Sequence, residues 1–219
     1  MPALIIILLT VVAYVIGSIP FGLLISKAKG KDIRTMGSCN IGATNVLRCL
    51  GKPLGITCFV LDVLKGYLPA AFFPIIASRL LAQASDAGKI DPAFGLLFGT
   101  AAILGHNFPI FLKFKGGKGV ATSAGVLLGV APLAVAIGLL TWILVFKISG
   151  YVSLGSIIAA LVVIITGWIR VENYGIVTAI ALTLLGALTI YRHRENIKRL
   201  ANGTENKFRR KSERQKSKV

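Results

Sequence analysis

The chain has 219 residues, 55% of them hydrophobic and only 15% charged, and its mean hydropathy is +0.78. A soluble domain carries about 25% charged residues, so this balance excludes an ordinary water-soluble globule and suits lipid as solvent. The net charge of +17 comes from 25 Lys+Arg against 8 Asp+Glu. These cations sit between apolar runs and in a tail, with no basic stripe of interleaved aromatics, which argues against nucleic acid as a partner.

A membrane-crossing helix needs about 20 apolar residues. Residues 4–25 form the first such run, broken only by Gly17, Ser18 and Pro20. It has no basic flank at its start and leads into a polar loop instead of a small-residue cleavage site, so a retained helix is expected, not a signal peptide. Residues 26–52 are polar and contain Cys39 and Cys49; these and Cys58 show no C-x-x-C spacing and are expected to be free thiols. The second run, 54–81, contains Asp62 and Lys65. Each charge would cost about 2.5–3.5 kcal/mol at the bilayer centre if alone, so the two are expected to pair or to face the bundle interior.

A short polar loop at 82–91 precedes a third run at 92–112 and a compact basic loop at 113–118. Residues 120–146 are long for one helix and are interrupted by Pro132. A polar break at 147–150 leads to runs at 151–169 and 174–190, split by a loop at 170–173, and the chain closes with a highly charged segment at 191–219.

Lys/Arg asymmetry sets the orientation. The 26–52 loop holds six basic residues, the 113–118 loop three and the last segment eleven, whereas the loops at 82–91 and 170–173 hold one each. The N-terminus is therefore expected outside and the three basic segments in the cytosol, which requires an odd number of spans. Splitting 120–146 at Pro132 gives seven. The first half is too short for a full crossing at about 1.5 Å per residue, and is expected as a half-helix or a re-entrant segment. The expected fold is an all-α polytopic membrane protein of about seven transmembrane helices. Residues 1–208 form a single membrane domain, and 209–219 a basic, disordered cytoplasmic tail.

Three cytosolic segments carry polar chemistry. GSCNIGATNVLRCLGK begins at Gly37; Gly42 lets the backbone approach a ligand. Ser38, Asn40, Thr44 and Asn45 supply short polar groups, and Arg48 a planar fork matched to phosphate or carboxylate. The second, GHNFPIFLKFKGGKGVATSAG from Gly105, places Gly116, Gly117 and Lys118 just before a helix N-terminus, an arrangement suited to anions. It does not match the Walker pattern. The third, YRHRENIKRLANGTEN from Tyr191, puts His193 and Asn196 three apart, on one face if the stretch is helical. Ser153, in YVSLGS, starts a helix on the same side of the membrane. Each segment alone also fits a capped turn, a flexible basic loop or a snorkelling interfacial helix. Asn202-Gly-Thr is a glycosylation sequon in form, but its cytosolic side removes that role.

GSCNIGATNVLR, GHNFPIFLKFKGGKGVAT, YVSLGS and RHRENIKRL resemble, in this order, the signatures of the bacterial acyl-phosphate:glycerol-3-phosphate acyltransferases, the PlsY family. The resemblance runs from GSIPFG at Gly17 to about Phe208. It implies transfer of a fatty acyl group from acyl-phosphate to the 1-hydroxyl of sn-glycerol 3-phosphate at the cytosolic face of the bacterial inner membrane, in phospholipid biosynthesis. It places Ser38, Arg48, Lys118, Ser153, His193 and Asn196 in the site. Arg48 and Lys118 are expected to bind phosphate, Ser38 and Ser153 to donate to phosphate oxygens, and His193 and Asn196 to orient glycerol 3-phosphate. Asn40, Gly42, Thr44, Asn45, Gly116 and Gly117 are expected to shape the phosphate pocket.

Membrane lipid is the surrounding partner; no cofactor, no metal and no oligomeric state is assigned. The family's first motif reads G-S-G-N, where this chain has Cys39 in place of the second Gly; a positive φ there would strain Cys39 by about 1 kcal/mol or more. No H-x-x-x-x-D occurs after either histidine, so the His–Asp mechanism of acyl-CoA-type enzymes is not expected. The competing class is a small transporter of a phosphorylated or anionic solute, for which Asp62, Lys65 and the broken apolar runs would mark a path.

Overall fold

A computed structural model describes residues 2–82 and 94–208, and all regular structure among them is helical. Residues 83–91 of the predicted loop and the 209–219 tail lie outside the described residues. Among the described residues, five segments are long and apolar enough to cross a membrane. The first is Pro2–Lys27, made of α1 (Pro2–Ser18) and α2 (Phe21–Lys27). After the short α3 (Ala43–Leu50) comes α4 (Lys52–Ala82), then Phe94–Leu112, which contains α5 (Phe94–Asn107).

The next helix, α6 (Val120–Val130), has 11 residues, or roughly 16 Å of rise, about half the hydrocarbon thickness. It ends at Val130, Pro132 opens α7 (Pro132–Ser149), and α8 (Val152–Ile169) follows. Residues predicted as a loop around 170–173 instead form one helical turn, α9 (Val171–Tyr174), because Arg170 O accepts from Asn173 N and Tyr174 N. The sixth apolar helix is α10 (Ile176–Arg192), bent by 54° into α11 (Arg194–Ala201). The described residues form an all-helical fold of membrane-spanning character.

The described helices fall into two compact units, one up to Val135 and one from Ala136 on. In the first, α4 is the axis and contacts α1, α2, α3, α5 and α6. Its buried stripe (Gly55, Cys58, Asp62, Lys65, Gly66, Pro69, Phe73, Ala77) recurs every three to four residues. Large apolar side chains such as Phe59, Leu64, Leu68, Phe72 and Ile76 point outward. Small and polar groups inside with bulky hydrocarbon outside is the pattern expected in lipid, where apolar burial between helices brings little gain. A Cβ placed on Gly66 would run into the Thr122 backbone, and one on Gly125 into that of Val63. Two glycines thus let α6 lie against α4 at backbone distance.

In the second unit α8 packs on α10, and Trp168 donates to Thr183 Oγ1 at 3.0 Å between them. The segment after α11 folds back onto the α7–α8 turn. Phe208 N donates to Gly150 O at 3.0 Å, and the Phe208 ring meets Phe146 edge-on at 5.9 Å. This return carries Glu205 to the start of α8.

Candidate active site

The loop before α3 is organised by one buried amide. Asn45 is 1% exposed. Its Oδ1 accepts from Ser38 N at 2.9 Å, and its Nδ2 donates to the carbonyls of Met36 and Asn40 at 2.9 Å and of Ile33 at 3.2 Å. Asn40 Oδ1 in turn accepts from Gly42 N at 2.8 Å, fixing the entry to α3. Cys39 takes a left-handed φ of 56° at the tip, the strained geometry anticipated for that substitution. Ser38, Thr44 and Arg48 are half-buried, and Thr44 and Arg48 stand one turn apart on α3. Beside the loop, Asp32 binds Arg34 through Nη2 at 2.6 Å and Nε at 2.9 Å. Hydrogen bonds from the Arg34 side chain, then from its backbone N–H, hold the Asp32 carboxyl well below the usual carboxylate range.

The second loop is pinned to the end of α5. Gly116 N donates to Asn107 O at 3.2 Å and Gly117 N to His106 O at 3.0 Å. Lys113 and Phe114 are consecutive left-handed residues, at φ 50° and 61°; such strain clusters at functional sites. Gly119, at φ 80°, caps α6, so half-buried Lys118 precedes helix amides that have no intrahelical partner. Asn107 Oδ1 and Thr122 Oγ1, on residues 1% and 0% exposed, have no hydrogen-bond partner among the described residues.

Beneath that loop lies the pair expected within the second apolar run. Lys65 Nζ is 2.7 Å from Asp62 Oδ1, both side chains being almost fully buried, and it donates to Ile19 O at 2.9 Å, in the break between α1 and α2. His106 Nδ1 lies 3.7 Å from the same Asp62 oxygen.

In the second unit, Ser153, Asn196 and Arg199 converge on Glu205. Ser153 Oγ donates to Glu205 Oε1 at 2.9 Å, Asn196 Nδ2 to the same oxygen at 2.7 Å, and Arg199 Nε to Oε2 at 2.7 Å. Burial pushes the Glu205 carboxyl up, but the donors from Asn196, Arg199 and Ser153 outweigh it and leave the group below its ordinary value. His193 is 3% exposed at the α10–α11 bend, its Nδ1 2.8 Å from Thr189 O. A carbonyl only accepts, so Nδ1 carries a proton and donates to it.

A family profile described as Glycerol-3-phosphate acyltransferase matches residues 7–203. The chain belongs to the glycerol-3-phosphate acyltransferase family. The glycerol-3-phosphate acyltransferase of Aquifex aeolicus is 44% identical over 91% of this chain and 97% of its own length. That of Geobacter sulfurreducens is 47% identical over 92% and 96%. Two crystal structures of PlsY, an integral membrane glycerol 3-phosphate acyltransferase, superpose on it. The glycerol 3-phosphate form has a TM-score of 0.81 at 42% identity, covering 93% of this chain and 96% of that one. The lysophosphatidic acid form has a TM-score of 0.78 at 41% identity, covering 93% and 95%.

Membership in the acyltransferase family sets aside the transporter alternative. Asp62 and Lys65 pair with each other, as the cost of a lone charge in lipid requires. Four residues escaped the sequence reading: His106, Asn107, Thr122 and Glu205. The first two stand in the GHN that precedes Pro109, and Thr122 in the GVAT that opens α6. Glu205 is an acid in a strongly basic segment, just past the Gly203 turn. Its spacing announces no partner, because Ser153 reaches it only through the chain return at Phe208.

Proposed function

We propose that this family member transfers a fatty acyl group from acyl-phosphate to the 1-hydroxyl of sn-glycerol 3-phosphate. The products are 1-acyl-glycerol 3-phosphate and inorganic phosphate. The observation that carries the reading is the likeness, across 93% of the chain, to PlsY structures in glycerol 3-phosphate and lysophosphatidic acid forms, the acceptor and product of this reaction. The hydroxyl oxygen attacks the acyl carbonyl carbon, the bond to the bridging phosphate oxygen breaks, and phosphate departs with the electron pair. Acyl-phosphate is already activated, so positioning and charge neutralisation supply most of the rate.

In this reading Arg48 and Lys118 bind phosphate, and Ser38 and Ser153 donate to phosphate oxygens, Ser153 by turning its single O–H away from Glu205. Asn40, Gly42, Thr44, Asn45, Gly116 and Gly117 shape the phosphate-binding backbone. His193 and Asn196 orient glycerol 3-phosphate. The hydroxyl proton passes to a substrate phosphate oxygen or to His193 Nε2. Residues 1–208 act as one membrane domain, with 209–219 a basic tail against anionic lipid. The six apolar spans plus α6 make seven segments, with the N-terminus outside and the basic loops at the cytosolic face of the inner membrane; the Lys/Arg asymmetry supports this arrangement.

The test uses purified full-length protein, palmitoyl-phosphate and labelled glycerol 3-phosphate, with labelled lysophosphatidate as readout. A second arm replaces palmitoyl-phosphate by palmitoyl-CoA. Product in the first arm alone is expected. Efficient turnover with palmitoyl-CoA, or none with either donor, overturns the assignment.

A further inference from the structure

We propose that His106 is a positioning residue for the Gly116–Gly119 loop, which it braces from beneath and so sets Lys118. The inference rests on the reading of that loop as a phosphate site. A Cβ added to Gly117 would strike His106 Nε2, so the imidazole forms the wall on which the loop lies. The backbone is joined there too, through Gly117 N to His106 O and Gly116 N to Asn107 O. The opposite edge of the ring faces Asp62, with Nδ1 at 3.7 Å from Oδ1. Asp62 is held by Lys65 at 2.7 Å, and Lys65 by the Ile19 carbonyl at 2.9 Å.

A continuous buried series of polar groups therefore runs from the α1–α2 break, across α4, to the glycine loop. The side chains of Lys65, Asp62 and His106 are each at most 5% exposed. Burying an ion pair in lipid brings little stability by itself. A pair aimed at one ring, itself lodged against a functional loop, restricts that loop to one height above α5. Lys118 follows the braced Gly117 directly, so a shift of the ring moves the cation at the head of α6.

The test is a double-mutant cycle on full-length protein in lipid nanodiscs, read as kcat and KM for both substrates and as thermal unfolding. His106→Asn keeps a polar group near Asp62 but removes the ring edge beneath Gly117. It is expected to lower kcat/KM about tenfold with the unfolding midpoint nearly unchanged. Lys118→Ala is expected to be impaired more. The combination should fall within about twofold of Lys118→Ala alone, because His106 acts through that lysine. Gly117→Ala approaches the same contact from the loop side and should show the same non-additivity, which covers the case of a His106 variant that does not fold. Losses that multiply in folded protein, or wild-type rates in both His106→Asn and Gly117→Ala, reject the bracing role alone. Wild-type activity of Lys118→Ala rejects the phosphate-loop reading and the bracing role with it.

Discussion

Asn196 Nδ2 donates to Glu205 Oε1 at 2.7 Å, on the same oxygen that accepts from Ser153 Oγ at 2.9 Å. Two residues proposed for the site, far apart in sequence, are thereby held by one carboxylate, whose other oxygen takes Arg199. The Asn196 side chain thus has its orientation set before any substrate arrives, whereas Ser153 has one O–H, which Glu205 takes, and must turn from it to donate to a phosphate oxygen.

Glu205→Gln should therefore loosen the second unit. Hydrogen bonds to a charged group contribute about 1.5–3 kcal/mol, and a glutamine offers no charge to Arg199. A loss of about 1–3 kcal/mol at pH 7 is expected, seen as a lower thermal unfolding midpoint. The pH dependence follows from the lowered folded-state pKa. The carboxylate's contribution is full above its unfolded value of 4.5 and is lost as pH falls through the lower folded value. The gap between wild type and variant should thus close below pH 4.5; a gap independent of pH would mean that the charge is not what holds Ser153 and Asn196.

Cys39→Gly should stabilise the first unit. A left-handed non-glycine residue costs roughly 1–2 kcal/mol, whereas glycine adds about 0.5–1 kcal/mol of backbone entropy to be lost on folding. The net gain expected is below about 1 kcal/mol, visible as a small rise in unfolding midpoint with activity retained. A drop in midpoint would show that the turn at φ 56° carries no strain.

The helices were legible because lipid imposes a composition that a single sequence cannot disguise: 4–25 and 54–81 reappear in α1–α2 and α4 within a few residues. The Asp62–Lys65 pair was legible for the same reason, since neither charge survives alone in hydrocarbon. Contacts that depend on where loops return were not. His106 reaches Asp62 from another helix, and Glu205 reaches Ser153 only because the segment after α11 folds back on Gly150. The turn at Arg170 was missed because four residues carry no periodicity to read.

Orientation can be checked by impermeant thiol labelling of intact cells, using single-cysteine variants in a background without Cys39, Cys49 and Cys58. A cysteine at Ala87, which lies outside the described residues, should label from outside. One at Gly203, an exposed turn residue, should label only after permeabilisation. The reverse pattern would invert the topology and move the basic loops away from the cytosol.

Arg48 and Lys118 make the sharpest test of the proposed chemistry. Arg48 lies in the last turn of α3, one turn beyond Thr44, above a loop whose backbone is fixed by Asn45. Lys118 precedes the Gly119 cap of α6, which lies against the Asn107 side chain. Arg48 stands on a helix and Lys118 on a loop, each joined to backbone held by hydrogen bonds of other groups, so removing either side chain should leave that backbone in place. A charge-assisted hydrogen bond to phosphate contributes about 1.5–3 kcal/mol. Arg48→Ala and Lys118→Ala should each lower kcat/KM by roughly ten- to a hundredfold or more, with unchanged unfolding midpoints. Lys118→Arg should recover part of the loss, because a point charge at a helix N-terminus tolerates a different head. Arg48→Lys should recover little, since an ammonium cannot present two parallel donors to a phosphate. Full rescue by Arg48→Lys would replace the fork with simple charge as the property that matters, and near-wild-type rates in both alanine variants would remove both loops from the site.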